Sequence, residues 1–474
     1  MYHLGETKMN HQKRIMMYTL VIFFGFLAGI VTPLTLAEEP ILLDEYDLLI
    51  ITPTYFKKIL EPLVEHKEQM QMKTLLITLK DIYDHPDTQQ GRDKAEQIKY
   101  YIASAQKTYD IQYVLLVGGK VGQLPLWHCP VRYVYMGNDW EASYLSDLYF
   151  ADLYNEDGSF SDWDSDADGV FAEWVIGEIP EDVDIDLYPD VSVGRLPCRN
   201  RFEVRTMVRK IIEYETKTKD QQWFNTLVVA AGDTYPESHN PLWVGYEGEY
   251  YGDQVIDIMN DFNPIRLYTS DGTLTGTKDV VSTLNEGCGF VYLVGHGSPQ
   301  TWGNHPPDAD EFVKGLTVFT IPQLNNRGMY PICVVSGCHN CQYDVSLLKL
   351  LNQLAVYHGE AINKCWGWQM TNEWNGGSIA TLGCTALGHT KEDKTSFTGG
   401  INELEVLMFR EYKENTVQHV GDFLTGAVAA YLDQYPRYWH EPVGDILHDT
   451  WIDVQVLQSY TLLGDPSLRI GGYD

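Results

Sequence analysis

The feature that most constrains the fold is a rhythm of short, continuously apolar runs, each closed by glycine or proline or passing into a helical segment. Residues 45–53 (EYDLLIITP), 73–79 (KTLLITL) and 113–119 (YVLLVGG) are three such runs, with helical segments between them at 55–70 and 93–109. A strand that is apolar on successive residues, and not only on alternate ones, is buried on both faces; strands alternating with helices build a parallel sheet covered on both sides. Pro62 falls inside the first helical segment, where it should mark a helix start or a kink. A strand at 190–198 (DVSVGRLPC) and a helix at 202–219 complete the first set.

After the polar stretch KTKDQQ the rhythm restarts. Strands are expected at 226–233 (TLVVAAGD), 265–270 (IRLYTS), 289–297 (GFVYLVGHG), 332–338 (ICVVSGC) and 376–384 (GGSIATLGC), with helices near 247–260 and 277–285. The expected fold is α/β, two side-by-side layers of mainly parallel sheet flanked by helices, with a boundary near Asp220 that separates residues 38–220 from 221–474. A chain of 474 residues with 44% hydrophobic and 12% aromatic side chains can bury a core of that size.

The first 37 residues read as an address. Lys13 and Arg14 precede the apolar run 15–31 (IMMYTLVIFFGFLAGIV), and Thr35 and Ala37 stand where a signal peptidase would cut. The alternative is a retained anchor, since the run sits at the lower length limit for spanning a bilayer. On either reading the body is extracytoplasmic, either secreted or held to a membrane through that segment alone. With 66 acidic against 34 basic residues the net charge is -32, which repels nucleic acid.

Between the two sets lies an aspartate-rich insertion. Asp164, Asp166 and Asp168 followed by Gly169 match the first half of a calcium loop, in which alternate carboxylates converge on a hard cation and glycine makes the turn. The twelfth loop position is Val175 where a bidentate Glu belongs, so Glu173, Asp162 or a more distant carboxylate must complete the shell. A solvated acidic turn is the competing reading. Structural calcium is the cofactor expected, with no organic cofactor.

Eight cysteines in so long a chain are too few for a disulfide scaffold. Cys288, Cys333 and Cys384 lie in or beside apolar runs and read as core residues, whereas Cys129, Cys198 and Cys365 have no partner that the sequence identifies. The stretch VVSGCHNCQYD leaves three readings for Cys338 and Cys341: a redox pair, half of a metal site, or a nucleophile with a bystander. A redox pair belongs at a helix start in a small thioredoxin-like unit, and a zinc site needs a second closely spaced ligand pair that is missing here.

Reactive groups in open α/β sheets gather at the carboxyl ends of strands. GFVYLVGHG delivers His296 between Gly295 and Gly297, and ICVVSGC delivers Cys338 after Gly337. A thiol beside an imidazole can form a thiolate nucleophile, and the same imidazole can protonate a leaving amine. A histidine at a strand end is also a common structural residue.

Taken with their flanks, VYLVGHGSPQTWG, the strand ending in SGC, SDLYFADL, DLYPDVSVGRLP and LLGDPSLRI, the chain resembles the gingipain family of cysteine peptidases over about residues 45–470. That family belongs to the caspase-like clan with legumain, separase and clostripain. The resemblance implies a caspase-like fold acting on protein or peptide substrates. It implies Cys338 as nucleophile, His296 as general acid and base, and an oxyanion hole from the amides of Gly297 and Cys338. It also implies Asp233 as the carboxylate orienting the histidine, a position that a helix cap or turn residue would equally fill. By the same resemblance Glu249, with Glu247 second, would line a pocket selecting Arg or Lys, although acids are ordinary at a helix start. Cys341 would support the loop, or form a disulfide with Cys338 that makes activity sensitive to oxidants. Sortase-like relatives use the same dyad to pass an acyl group to an amine, so transpeptidation stands beside hydrolysis, and a non-enzymatic calcium-binding surface protein stands behind both. Gingipains also carry a long propeptide and an immunoglobulin-like module that this chain does not match.

Overall fold

In a computed structural model of the chain the described residues are 45–137, 141–175, 178–183, 185–237, 245–390, 399–436 and 450–474; the expected signal or anchor segment lies outside them. Ten strands form the main sheet: β1 (Leu48–Thr52), β2 (Thr74–Thr78), β3 (Tyr113–Val117), β4 (Ser192–Leu196), β5 (Thr226–Ala231), β6 (Asn263–Tyr268), β7 (Phe290–Val294), β8 (Ile332–Ser336), β9 (Ala380–Cys384) and β10 (Tyr460–Leu463). Their spatial order is β2-β1-β3-β4-β10-β9-β8-β7-β5-β6. The two halves expected on either side of Asp220 therefore lie edge to edge in one continuous sheet.

The C-terminal strand makes the join. Strand β10 runs parallel to β4, with Leu463 opposite Arg195, and antiparallel to β9, with Thr381 opposite Leu463 and Cys384 opposite Tyr460. All other neighbours in the sheet are parallel, so β1–β4 run opposite to β5–β9.

The longer helices labelled here are α1 (Thr54–Gln69), α2 (Lys94–Tyr109), α3 (Arg201–Lys217), α4 (Glu247–Ile258), α5 (Thr277–Asn285), α6 (Trp366–Thr371), α7 (Gly400–Glu414), α8 (Val420–Gln434) and α9 (Thr450–Ser459). Helix α1 runs through Pro62, which sits on its exposed side. The continuous apolar runs are explained by two separate cores. Phe290, Tyr292 and Val294 of β7 enter one cluster, whereas Val291 and Leu293 enter the other, with Trp302, Trp366 and Met370. Strand β7 thus buries both its odd and its even residues, whereas four of the six residues of the edge strand β6 are exposed.

The terminal motif LLGDPSLRI has a structural task. Lys67 of α1 is fully buried, and its Nζ lies 2.7 Å from Glu215 Oε1 of α3 and 2.9 Å from Asp465 Oδ2. His66 Nε2 adds a 2.8 Å contact to Glu215 Oε2. Burial alone would raise the Glu215 carboxyl, but Lys67 and His66 hold it below its ordinary value. This buried charge cluster fastens the C-terminal segment to α1 and α3 of the N-terminal half.

Candidate active site

Strand register places the reactive residues in one row. Strands β7 and β8 are parallel neighbours with Val294 opposite Ser336, so His296 and Cys338 each lie two residues beyond paired positions. Strand β5 pairs with β7 with Ala230 opposite Leu293, which puts Asp233 in the same row. Parallel strands are about 4.8 Å apart. His296 and Cys338 line a single cleft with Thr234, Tyr235, Gly388 and Thr390.

Glycine is required where the two strand-end turns touch. A Cβ on Gly297 would fall 2.2 Å from Asn340 Oδ1 and 2.7 Å from the Cys338 carbonyl oxygen, and a Cβ on Gly337 would fall 3.0 Å from the Gly297 nitrogen. Backbone in such proximity brings the Gly297 and Cys338 amides to the same end of the cleft. His339 follows the cysteine at φ 58, a left-handed conformation costly for a non-glycine residue. The turn is held there by His339 N donating to Ala386 O at 2.8 Å and Cys341 N donating to Cys384 O at 2.9 Å.

His296 Nε2 lies 2.6 Å from the Thr234 carbonyl oxygen. A carbonyl only accepts, so Nε2 carries the hydrogen and Nδ1 is the nitrogen able to take a proton. The Cys338 sulfur accepts from Gly388 N at 3.4 Å. Burial pushes the Cys338 thiol above its ordinary value, and the Gly388 amide opposes this only in part. The thiol therefore needs a base to become a nucleophile.

The expected carboxylates behave differently. Asp233 does not engage His296 through its side chain; its Oδ2 accepts from Asp308 N at 2.7 Å, and its carboxyl meets that of Glu247. Burial, and then the Asp233 charge, raise Glu247 to about 7, so the two carboxyls are poised to share a proton. Glu247 Oε2 also accepts from Tyr235 N at 3.2 Å, behind the cleft wall. Glu249 turns away from the cleft, its carboxylate accepting from Ser270 N at 3.0 Å and Ser270 Oγ at 2.5 Å.

Cys341 is fully buried, and its sulfur faces Gly367 of α6 and Gly383 of β9. All eight cysteines are free thiols, and Cys338 alone is not fully enclosed. Next to Cys338, burial holds Glu141 protonated up to about 8 and lowers His339 to about 4, so the 3.7 Å approach between them is one of neutral groups at neutral pH.

One functional residue was not singled out by the sequence reading. Asn340 is fully buried, and its Nδ2 donates to Ser298 O at 2.9 Å and Thr301 O at 3.1 Å, lacing the cysteine turn to the hairpin that follows His296. Its backbone carbonyl accepts from Gly367 N at 2.7 Å. The visible signal was a polar residue two places after Cys338, in a turn that otherwise buries what it carries.

In the aspartate-rich insertion Asp164, Asp166 and Asp168 bring carboxylate oxygens within 4.8 Å of one another, and Glu173 is not part of that group. Desolvation first, and then the like charges of Glu181, Asp168, Asp182 and Asp166, raise the Glu173 carboxyl above its ordinary value. Arg92 Nη1 donates to Asp164 Oδ2 at 2.7 Å, and Gly169 turns at φ 91. An all-oxygen donor set on alternate residues fits a hard cation, with Arg92 supplying part of the neutralisation.

A mixed, mostly parallel α/β sheet with cysteine and histidine at adjacent strand ends defines the caspase-like class. The chain belongs to peptidase family C25, whose model matches residues 42–471. Gingipain R2 from Porphyromonas gingivalis is 21% identical over 304 residues, covering 64% of this chain and 35% of that protein. Lys-gingipain from the same organism is 23% identical over 218 residues, 44% of this chain and 10% of that one. The matched region is thus about a third or less of the length of these relatives. The crystal structure of the Arg-specific cysteine proteinase gingipain R superposes with a TM-score of 0.60 at 16% identity, covering 90% of this chain and 78% of that one, which shows the shared fold.

Proposed function

We infer that the protein is an exported, calcium-stabilised cysteine endopeptidase that cleaves protein or peptide substrates through Cys338 and His296. The observation that carries this reading is the register of β7 with β8, which sets His296 and Cys338 side by side at the mouth of one cleft. His296 Nδ1 takes the thiol proton as the sulfur attacks the scissile carbonyl; the Gly297 and Cys338 amides receive the oxyanion; His296 then protonates the leaving amine. Water hydrolyses the thioester. Asp233 acts on the histidine indirectly, by fixing the segment whose Thr234 carbonyl accepts from Nε2.

Family membership supports the reaction class, and the apolar segment at 15–31 supports export. Cleavage after Arg or Lys is the finer reading, in keeping with the printed names of the relatives; of the two glutamates Glu247 is the better placed, because it is tied to Tyr235 of the cleft. Burial of Cys341 in the core favours a nucleophile over a redox pair. Transpeptidation would use every residue named here.

The test is digestion of a peptide library by wild type and by the Cys338→Ala, His296→Ala and Cys341→Ser variants, with and without an added amine. Hydrolysis that survives only in wild type and Cys341→Ser, enriched for cuts after basic residues, is the expected result. Products capped by the amine would make the enzyme a transpeptidase, and equal cleavage by Cys338→Ala would remove the nucleophile assignment.

A further inference from the structure

A second surface on the molecule has the chemistry of a binding site and takes no part in the cleft. Tyr55, Ile59 and Pro62 of α1 and Val208 of α3 form the apolar floor of a groove of about 520 Å³. Its walls carry Lys58, Arg201, Arg205 and Arg209, and no carboxylate lines it. The three arginines fall on successive turns of α3, where like charges repel. Lys58, Arg201 and Arg205 are exposed and make no ion pair among the described residues. Arg209 is held at the rim by Glu213 at 3.0 Å and by the Trp374 carbonyl at 2.8 Å. Trp374 stacks on exposed Phe202, with ring centroids 5.3 Å apart, extending the rim as an aromatic shelf.

Four basic side chains around one groove, three of them with no ion pair among the described residues, are unexpected in a chain with 66 acidic and 34 basic residues. An apolar floor between cationic walls matches an extended polypeptide that alternates carboxylates with apolar or aromatic side chains. The net charge of -32 disfavours an acidic segment on the surface at large, and this groove offers one a local cluster of cations. Because β1–β4 run opposite to β5–β9, the starts of α1 and α3 lie at the edge of the sheet away from Cys338. We propose that the groove between α1 and α3 is a docking site for an acidic, apolar-interleaved polypeptide segment of a partner protein that is not the substrate of the cleft.

The experiment uses the full chain carrying Cys338→Ala, so that binding is read without cleavage and independently of the peptidase reading. Fluorescence anisotropy is measured with a labelled peptide alternating Glu with Leu and Phe, and with its Gln counterpart. The acidic peptide is expected to bind, the Gln peptide to bind at least about tenfold more weakly, and added salt to weaken the acidic complex. Arg201→Glu with Arg205→Glu should reduce affinity about tenfold or more, while the equally charge-shifting pair Lys107→Glu with Lys278→Glu should not. If the reversed pair fails to fold, Arg201→Gln with Arg205→Gln serves the same purpose with a smaller loss. Hydrolysis of a short peptide that holds one basic residue at the cleaved bond and no acidic residue should be unchanged by these substitutions in the otherwise wild-type enzyme. Equal binding of the Gln peptide, equal losses in both charge-reversed pairs, or binding of a sulfated oligosaccharide or short DNA in place of the acidic peptide would overturn the assignment.

Discussion

Cys338 and Cys341 are two intervening residues apart, yet one faces the cleft and the other is fully enclosed beneath it. The separation comes from the turn: His339 at φ 58 reverses the chain, and the amides of residues 339 and 341 are pinned to the carbonyls of 386 and 384. The sequence showed the thiol and the imidazole because glycine-flanked residues at apolar strand ends are a short-range signal. It did not show where Asp233, Glu247 and Glu249 point, since those directions depend on Asp308, Ser270 and the Tyr235 amide, which arrive from elsewhere in the chain. Asn340 is the positioning residue with the clearest consequence. Asn340→Ala removes both hydrogen bonds between the two catalytic turns and should lower kcat about 10²-fold while KM changes less than about twofold, because misalignment costs rate more than binding. Asn340→Asp should be worse than Ala, since a carboxylate oxygen would then face the Ser298 and Thr301 carbonyls. Steady-state kinetics on one peptide substrate separates the two parameters.

Most strands were legible because they are apolar on successive residues and are closed or followed by a recognisable turn or helix. Nine of the ten strands of the sheet fall within expected runs or overlap them. Strand β10 was not read as a strand: it has four residues, and its neighbours β4 and β9 come from opposite halves of the chain, so no local pattern announces it. Helix α7 carries the least expected group. Glu405 is fully buried beneath the cleft, accepting from Tyr292 Oη at 2.9 Å and Tyr460 Oη at 3.2 Å. Burial raises its carboxyl to about 8, with the two tyrosines opposing that shift. An unfolded glutamic acid ionises near about pH 4.3, so between there and about pH 8 the folded state binds more protons, and stability falls as pH rises. The stabilising contribution is fully present below about pH 4.3 and is lost as the pH passes the folded value. Glu405→Gln has no such titration; the melting temperature of wild type relative to Glu405→Gln should therefore decline steadily between about pH 5 and about pH 8.

At the scale of the molecule, two halves with opposite strand directions are joined by β10 and by the buried cluster of Lys67, Glu215 and Asp465. The sequence showed both halves but not their junction, because the junction pairs residues hundreds of positions apart. The aspartate-rich insertion lies between β3 and β4, and on the proposed reading calcium bound there should stabilise the folded chain as any ligand specific to that state does. At roughly 100 times Kd, calcium should contribute about 2.7 kcal/mol, visible as a higher melting temperature than in chelator. Asp166→Asn with Asp168→Asn should abolish the difference. A calcium effect that persists in that variant would place the ion elsewhere.

The account stands on His296 serving Cys338 as its base, and alkylation by iodoacetamide followed by intact mass and peptide mapping tests that most directly. Seven of the eight thiols are buried, so wild type should take up one label, at Cys338. At neutral pH that reaction should slow by about tenfold or more in His296→Ala, because burial keeps the unassisted thiol protonated. Labelling of Cys338 at the same rate with and without the imidazole, or first labelling of any other cysteine, would contradict the account.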